Sequence, residues 1–313
     1  MNGNIWSKIK KKIIFTSYLL KSRKISSILR ELIPKNKKLS ILDVGAGNRY
    51  LSAVLNFDGA ANISMVDPHK SLFWSFENLK KKLIYKDLLK AYKVGIGKNT
   101  IKKTLFIGKK STGSTFVDIF KVSKKKKIKL NMNYFSVSKE IVQIYKFYDL
   151  LTKYNLKKPD IVKIDVEGLE IEVLDSILDV GKPYLIQIES NINSNLYENT
   201  FDQIHRKLTS LNYSLTTLHP NYYYPVYSSI NKNLIKDNYE YPKIRSKIEQ
   251  VDSIYILKKK INLREILILI GYGFLCEAFQ FFTKFERKIE KKNRNILKIF
   301  FKNYIPQSIF KTF

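Results

Sequence analysis

The sequence predicts an α/β fold: a doubly wound, mostly parallel sheet of seven strands that ends in an antiparallel hairpin, with basic helical extensions at both ends of the chain. Three observations predict it. Short apolar runs alternate with segments of helical periodicity, glycine-containing turns follow two of these runs, at 43–47 and 165–168, and carboxylates stand where several runs end. Because open α/β sheets collect their site residues at the carboxyl ends of the strands, we expect the function there.

Composition supports a folded globular protein, and its basic charge is not taken as evidence for a nucleic-acid partner, which we do not expect. The 313 residues are 44% hydrophobic and 13% aromatic, which excludes wholesale disorder. The formal net charge is +30, but much of it is lysine in a chain also rich in Asn and Ile, as in a genome-wide compositional drift. The excess concentrates at the ends: residues 1–38 hold eleven Lys/Arg and one acidic residue, and residues 258–313 hold thirteen and four.

The start of the chain predicts an uncleaved basic amphipathic helix over residues 5–33, which Pro34 ends. Lysines 8–12 precede an apolar run at 13–20, yet no small-residue cleavage site follows, so we do not interpret it as a signal peptide. A single cysteine, Cys276, cannot form an intramolecular disulfide, and three scattered histidines have no zinc-ligand spacing. We therefore expect a reducing, cytoplasmic location.

Two carboxylates follow the first two predicted strands. Residues 40–49 predict a strand, a glycine loop and the start of a helix that runs to Leu55, and residues 62–66 predict the second strand. Asp43 and Asp67 are separated by the twenty-odd residues that, in dinucleotide folds, separate the glycine loop from the acidic residue that binds ribose hydroxyls. The spacing favours cofactor binding over a glycine turn with no site role.

Residues 91–135 change to short runs separated by turns, which predict an inserted hairpin or excursion from the sheet. The predicted elements here and just beyond are strands at 93–96, 104–107, 129–135 and 139–147 and a helix at 148–154.

The segment Pro159–Glu170 is expected to carry the chemistry. Asp165 and Glu167 end an apolar strand and alternate along an extended chain, so we expect their side chains on one face. Neighbouring carboxylates can raise one pKa towards that of a general base, or can bind a divalent cation. The alternative is a structural role, in which one of them caps the helix after Gly168.

The remaining elements complete the sheet and bring a third carboxylate to it. Glu189 ends a strand and Asn191 follows it, so both are expected to lie near Asp165. The tyrosine-rich segment 221–250 is too long for a passive connection and predicts a lid or acceptor loop. The predicted elements are a helix at 169–178, a strand at 184–188, a helix at 201–211 and strands at 213–218 and 251–257.

These motifs resemble the class I S-adenosylmethionine-dependent methyltransferases and, within them, the FkbM-type group, whose fold is Rossmann-like. The resemblance covers about residues 38–258. It is carried by D-V-G-A-G at 43–47, Asp67-Pro68, Gly113-Ser114, Asp149, K-I-D-V-E-G-L-E from Lys163 with Val173-Leu174 beyond it, and Glu189.

The resemblance implies S-adenosyl-L-methionine as cofactor. We predict no metal site, and a divalent cation at the carboxylates is the less favoured alternative because oxygen-ligand sites have no strict sequence spacing. The residues implied to bind the cofactor are Asp43, Gly45, Ala46, Gly47, Asp67, Pro68 and Gly95. The residues implied to face the chemistry are Asp165, Glu167 and Glu189. Two positions depart from the family pattern: Asn48-Arg49 stand where a further glycine is usual, and Asp67 stands where glutamate is usual.

The expected activity is O-methylation of a hydroxyl on a saccharide or glycan precursor, with a small-molecule or glycan acceptor. The alternatives are an RNA methyltransferase and a catalytically inactive, membrane-associated scaffold of the same fold. Two histidines, His69 and His219, lie just past strand ends and are weaker candidates for the base. Lys163, inside the strand, is expected to snorkel or to pair with a nearby acid.

The chain is predicted to divide into a basic helical extension at 1–37, the methyltransferase domain at 38–258 and a basic, apolar helical extension at 259–313. The apolar segment 266–282 is either a buried partner helix or an interfacial helix. With the basic flanks, the second alternative predicts peripheral contact with the cytoplasmic membrane face. No pattern indicates an oligomeric state.

Overall fold

The structure is a computed structural model, and it describes residues 19–47, 51–108, 114–126, 138–192, 199–225 and 246–305. Two sheets are formed within this part of the chain. Their strands are β1 (Leu39–Val44), β2 (Ala61–Val66), β3 (Leu89–Tyr92), β4 (Gly95–Ile96), β5 (Ile101–Ile107), β6 (Ser138–Tyr145), β7 (Ile161–Ile164), β8 (Leu185–Asn191), β9 (Tyr213–Pro225) and β10 (Ser246–Leu257).

Helices cover the main sheet and connect its parallel strands. They are α1 (19–32), α2 (Ser71–Lys80), α3 (Ile119–Lys126), α4 (Phe147–Tyr154), α5 (Glu170–Leu178), α6 (Phe201–Ser210), α7 (Leu263–Tyr272), α8 (Leu275–Phe285) and α9 (Lys291–Tyr304).

The main sheet has seven strands in the order β3-β2-β1-β7-β8-β10-β9. The strands from β3 to β8 are parallel, and β10 and β9 are antiparallel. This confirms the predicted fold class. All six residues of β1 and all four of β7 are buried, as expected for central parallel strands covered on both faces. The carboxyl ends of β1, β2, β7 and β8 therefore meet at one end of the sheet.

The predicted excursion is a second, three-stranded sheet in the order β4-β6-β5. The predicted strand at 93–96 is confirmed only for Gly95-Ile96, which pair with β6. Lys93 and Val94 connect them to β3, which ends at Tyr92 in the main sheet. The predicted strand at 129–135 lies outside the described residues.

The prediction of a helix running to Leu55 is wrong. The described part of this segment is a short 3₁₀ helix, Ser52–Phe57. Only a tight turn with Gly59 in the left-handed region (φ 78°) separates it from β2, so the connection has no room for a longer helix. Phe57 is buried against Gly271 of α7, where a Cβ would overlap its ring.

The terminal hairpin is longer than predicted. Its strands β9 and β10 pair from Tyr213↔Leu257 out to Pro225↔Ser246, with irregularities around Gln250. Prolines are tolerated in β9 because it is an edge strand that pairs on one side only. Residues 226–245, the centre of the predicted lid, lie outside the described residues.

The apolar segment 266–282 forms two helices rather than one. An Asn262/Glu265 capping box begins α7, and Gly273, with φ 96°, ends it. Ile266 to Ile270 are at most 1% exposed and join the core on one side of the sheet, together with residues of α1, α8 and α9. The buried alternative thus describes α7. Within the described residues, no helix has the length and apolarity needed to cross a membrane.

Candidate active site

The first glycine loop lies against the end of the central strand. Gly45 follows β1 with φ 79°, a left-handed conformation that favours glycine. A Cβ at this position would overlap the backbone carbonyl of Asp165. Its N–H donates to the carbonyl of Val66 at 2.9 Å. The loop therefore needs glycine to bring the ends of β1, β2 and β7 together.

Asp43 presents a buried acceptor to this loop. Its carboxylate has no solvent exposure, and Oδ2 accepts a hydrogen bond from the N–H of Leu51 at 2.7 Å. Oδ1 receives no hydrogen bond from the described residues and lies 3.6 Å from Nζ of Lys163. Burial raises the pKa of Asp43, and this effect is larger than the lowering that the positive charge of Lys163 causes. A buried acceptor without a donor fits a cationic amine, such as the amino group of the S-adenosylmethionine that the sequence predicts.

Asp67 shapes the same loop from β2. Its Oδ2 accepts from the N–H of Gly47 at 2.8 Å, and its Oδ1 accepts from the N–H of His69 at 2.7 Å. Burial raises the pKa of Asp67 to about 6, despite these two bonds. Each carboxylate oxygen can still accept a second donor, such as a ribose hydroxyl. Its predicted role towards the cofactor stays a prediction.

The other predicted cofactor residues fall into two groups. Ala46 is fully buried in the glycine loop and Pro68 lies partly buried after β2, so both are next to Asp43 and Asp67 in the fold. Gly95 is in the second sheet, and a Cβ there would stand 3.2 Å from the side chain of Ile144. This close packing explains why glycine is present at position 95 without any contact to a cofactor.

Three carboxylates meet at the carboxyl ends of β7 and β8. Asp165, Glu167 and Glu189 each place one oxygen within 4.8 Å of the others, and all three are half-buried. The predicted extended chain through Glu167 is wrong, because this residue has φ 52°. The turn towards α5 nevertheless returns its side chain to the cluster. Oxygens at this spacing can hold a proton or a divalent cation.

The cluster favours protonated carboxyl groups. Burial, followed by the charges of Asp165 and Glu170, raises the pKa of Glu167 to about 8. Burial, followed by the charge of Asp165 and a hydrogen bond with it, raises the pKa of Glu189 to about 10. These values favour a protonated Glu189 that is hydrogen-bonded to Asp165, whereas the pKa of Glu167 lies in the range where a general base works.

Lys163 is the buried cation between the two halves of the site. It is 6% exposed; its Nζ donates to Oδ2 of Asp165 at 3.0 Å and also faces Asp43. Burial alone would lower the pKa of Lys163, but the two carboxylates outweigh it and the pKa is above its ordinary value. The prediction that Lys163 pairs with an acid is confirmed.

Sequence reasoning missed the residue that organises the turn into α5. Glu170 is 3% exposed; its Oε1 accepts from the N–H of Gly168 at 2.7 Å, and its Oε2 accepts from the side-chain amide of Asn199 at 3.2 Å. Asn199 also donates to the carbonyl of Gly168. The structural role expected of Asp165 or Glu167 thus belongs to Glu170, the last residue of the K-I-D-V-E-G-L-E motif.

Four further residues that the sequence singled out are His69, His219, Asn191 and Asp149, and Asn191 is the last residue of β8. The His69 ring is buried and contacts Oγ of Ser71 at 2.8 Å, and burial lowers its pKa. His219 is exposed on β9. Asn191 pairs with β10, and Asp149 hydrogen-bonds to Thr100. Neither histidine has a described contact with the three clustered carboxylates.

Gly45→Ala is expected to lower the free energy of unfolding by about 3 kcal/mol, since it adds both a left-handed alanine and a backbone overlap. Gly47→Ala is the matched control in the same loop. Its Cβ would have its nearest neighbour, Oδ2 of Asp67, at 3.3 Å, and its φ is not in the left-handed region. Chemical denaturation of both variants measures the difference. Equal losses would contradict the close approach of Gly45 to β7.

The unliganded protein is expected to lose stability as the pH rises from about 5 to 10. The ordinary pKa of glutamate is 4.5, and the folded values for Glu167 and Glu189 are about 8 and 10. The folded state therefore binds more protons, so this stability is present below pH 4.5 and is lost as the pH passes the folded values. Thermal unfolding across pH measures the slope. Glu189→Gln should make the slope shallower, and an unchanged slope would contradict the assignment of this pH dependence to Glu189.

The residues that form this site also match a known protein family. Residues 43–215 match the model of the methyltransferase FkbM domain. No curated protein sequence matches the chain. Among solved structures, methyltransferase FkbM from Methylobacillus flagellatus KT is 13% identical, with 70% of this chain and 43% of that chain covered and a TM-score of 0.39. The present chain thus spans less than half of that one.

Two other solved structures are similar at the same low level. Precorrin-6y C5,15-methyltransferase from Geobacter metallireducens GS-15 is 14% identical, with 76% and 86% of the two chains covered and a TM-score of 0.36. Burkholderia thailandensis 1,6-didemethyltoxoflavin-N1-methyltransferase, solved with bound 1,6-didemethyltoxoflavin and S-adenosylhomocysteine, is 9% identical, with 83% and 92% covered and a TM-score of 0.32.

The family match begins at Asp43, ends at Leu215 and so includes the glycine loop, Asp67, Lys163 and the three clustered carboxylates. It covers more than half of the chain. The chain therefore belongs to the family of FkbM methyltransferases, whose methyl donor is S-adenosylmethionine.

Proposed function

We propose that this methyltransferase methylates a hydroxyl oxygen, on a saccharide or glycan precursor. The observation that carries the proposal is the carboxylate cluster of Asp165, Glu167 and Glu189 at the end of the sheet. A hydroxyl is a weak nucleophile that loses its proton when its oxygen is alkylated, so its methylation requires a nearby proton acceptor. Amine or thiol acceptors have less need of one.

Different residues would bind the cofactor and accept the proton. S-adenosylmethionine supplies an electrophilic methyl group when it is bound. Asp43 and Asp67 would hold it beside the glycine loop, and Lys163 keeps Asp43 and Asp165 in fixed positions. Glu167 would accept the hydroxyl proton, because its pKa of about 8 leaves a useful fraction ionised near neutral pH. Alignment of the acceptor oxygen with the methyl group supplies the rest of the rate.

The acceptor class follows from what the cluster can bind. A protonated Glu189 both donates and accepts hydrogen bonds, and ionised carboxylates accept them. Such a set suits neighbouring hydroxyl groups on a sugar ring. Ionised carboxylates repel the phosphates of RNA, so the alternative of an RNA methyltransferase has less support.

Transfer of a radiolabelled methyl group from S-adenosylmethionine tests the proposal directly. The full chain is incubated with cell extract separated into carbohydrate, lipid, RNA and protein fractions, and heat-denatured protein gives the background. We expect base-stable label in the carbohydrate fraction, as a methyl ether requires. Label confined to RNA or protein would contradict the proposed acceptor class. Label recovered as a methylamine or a methyl thioether would show that the acceptor atom is not a hydroxyl oxygen.

A further inference from the structure

The end of the sheet opposite the carboxylate cluster is a continuous basic surface. It is built by the segments that precede β1, β7 and β8 and by the segment that follows the antiparallel β10, which the register places at the same end. We call it the basic end. Its cations are Lys35, Lys37, Lys38, Lys157, Lys158, Lys182, Lys258, Lys259, Lys260 and Arg264.

Backbone contacts join these segments into one surface. Arg264 donates to the carbonyl of Lys37 at 2.8 Å and forms an ion pair with Asp160 at 2.6 Å. The carbonyl of Asp160 accepts from the N–H of Tyr184 at 2.8 Å, at the start of β8. The N–H of Lys258 donates to the carbonyl of Asn212 at 2.9 Å.

Few of these charges are neutralised. Within the described part of the chain, ion pairs at the basic end involve Lys259, with Glu265, and Arg264, with Asp160. Its third carboxylate, Asp179, pairs with Lys146 outside the set. Burial, together with the charges of Lys35 and Arg30, lowers the pKa of Lys38, as expected for crowded cations.

The carboxylates of the candidate active site lie at the opposite end. The side chains gathered there include Asp43, Asp67, Asp165, Glu167 and Glu189. The six residues of β1 separate the two ends by about 20 Å. The basic end and the candidate active site therefore lie at opposite ends of the strands.

We propose that the basic end docks the enzyme on an anionic lipid surface, with the active site directed away from the lipid. A row of exposed lysines at one end of the sheet matches the negative potential of such a surface. Ile84 and Tyr85, which are exposed and precede β3, lie at this same end of the sheet, and apolar and aromatic side chains beside lysines are typical of surfaces that contact the membrane interface. This surface differs from the predicted interfacial helix, whose apolar residues are buried.

Vesicle sedimentation with the full chain tests the proposal. The vesicles are phosphatidylcholine alone, or phosphatidylcholine with about one-third phosphatidylserine. The test variant replaces Lys37, Lys157, Lys158 and Lys258 with glutamine. The matched control replaces four lysines that are equally exposed around the second sheet and α3, namely Lys98, Lys102, Lys124 and Lys125.

We expect the wild type and the control variant to bind the anionic vesicles but not the neutral ones. The basic-end variant should bind the anionic vesicles at least about tenfold more weakly. Equal losses in both variants would show that net charge, not this surface, drives binding, and would overturn the proposal. Binding to neutral vesicles, no binding by the wild type, or tighter binding of a single-stranded RNA than of vesicles would also overturn it. Circular dichroism and methyl transfer in solution confirm that both variants are folded.

Discussion

Replacing Glu167 with glutamine is expected to slow methyl transfer by about 10²–10⁴-fold, while the affinity for S-adenosylmethionine stays unchanged. The amide has the shape of the carboxylate but cannot take a proton, and it keeps the φ of 52° that Glu167 already adopts. Glu167 has no described contact with Asp43 or Asp67, so the cofactor side should not sense the change. Calorimetric titration measures binding, and single-turnover transfer measures the rate.

The pH profile separates a base from a structural residue. Wild-type rates should rise as Glu167 ionises, with a midpoint near its pKa of about 8, and this limb should disappear in Glu167→Gln. Glu172→Gln is the matched control, since it makes the same change on the same turn-and-helix segment and Glu172 is outside the cluster. Full activity in Glu167→Gln would remove Glu167 from the chemistry and leave the Asp165–Glu189 pair as the candidate.

The sequence was sufficient to predict the parallel core and the end of the sheet where the site forms. The run from Ile161 to Ile164, apolar except for Lys163, is typical of a strand buried on both faces. A carboxylate and a glycine directly after such a strand are typical of a site at the sheet edge. The same logic located Asp43 and Glu189. These features are local, so periodicity and turn chemistry determine them.

Other features depend on partners distant in the sequence. The run Ile266 to Ile270 is apolar on every side of the helix. The sequence alone does not distinguish a buried helix from an interfacial one, because that depends on whether other elements pack against it. Glu170 and Asn199 are 29 residues apart and meet only because α5 and the segment after β8 pack together. The extension of β9 past Pro220 likewise depends on its pairing with β10.

Lys163→Met is expected to lower the free energy of unfolding by about 3–5 kcal/mol and to abolish detectable methyl transfer. Methionine fills the same volume but leaves Asp43 and Asp165 buried without their cation, and one of them must then take up a proton or draw in water. Since Asp43 belongs to the cofactor half and Asp165 to the acceptor half, both are displaced together. Denaturant unfolding and calorimetric titration of S-adenosylmethionine measure the two losses.

The control is an ion pair of the same kind at the surface. Lys146 lies 3.2 Å from Asp179, and both side chains are at least 42% exposed, so Lys146→Met should cost no more than about 1 kcal/mol. Adding Asp165→Asn to Lys163→Met should restore part of the stability, because it removes one of the orphaned charges, but not the activity. Equal costs for the two lysine variants, or no recovery in the double variant, would mean that Lys163 packs in the core without holding the two carboxylates in place.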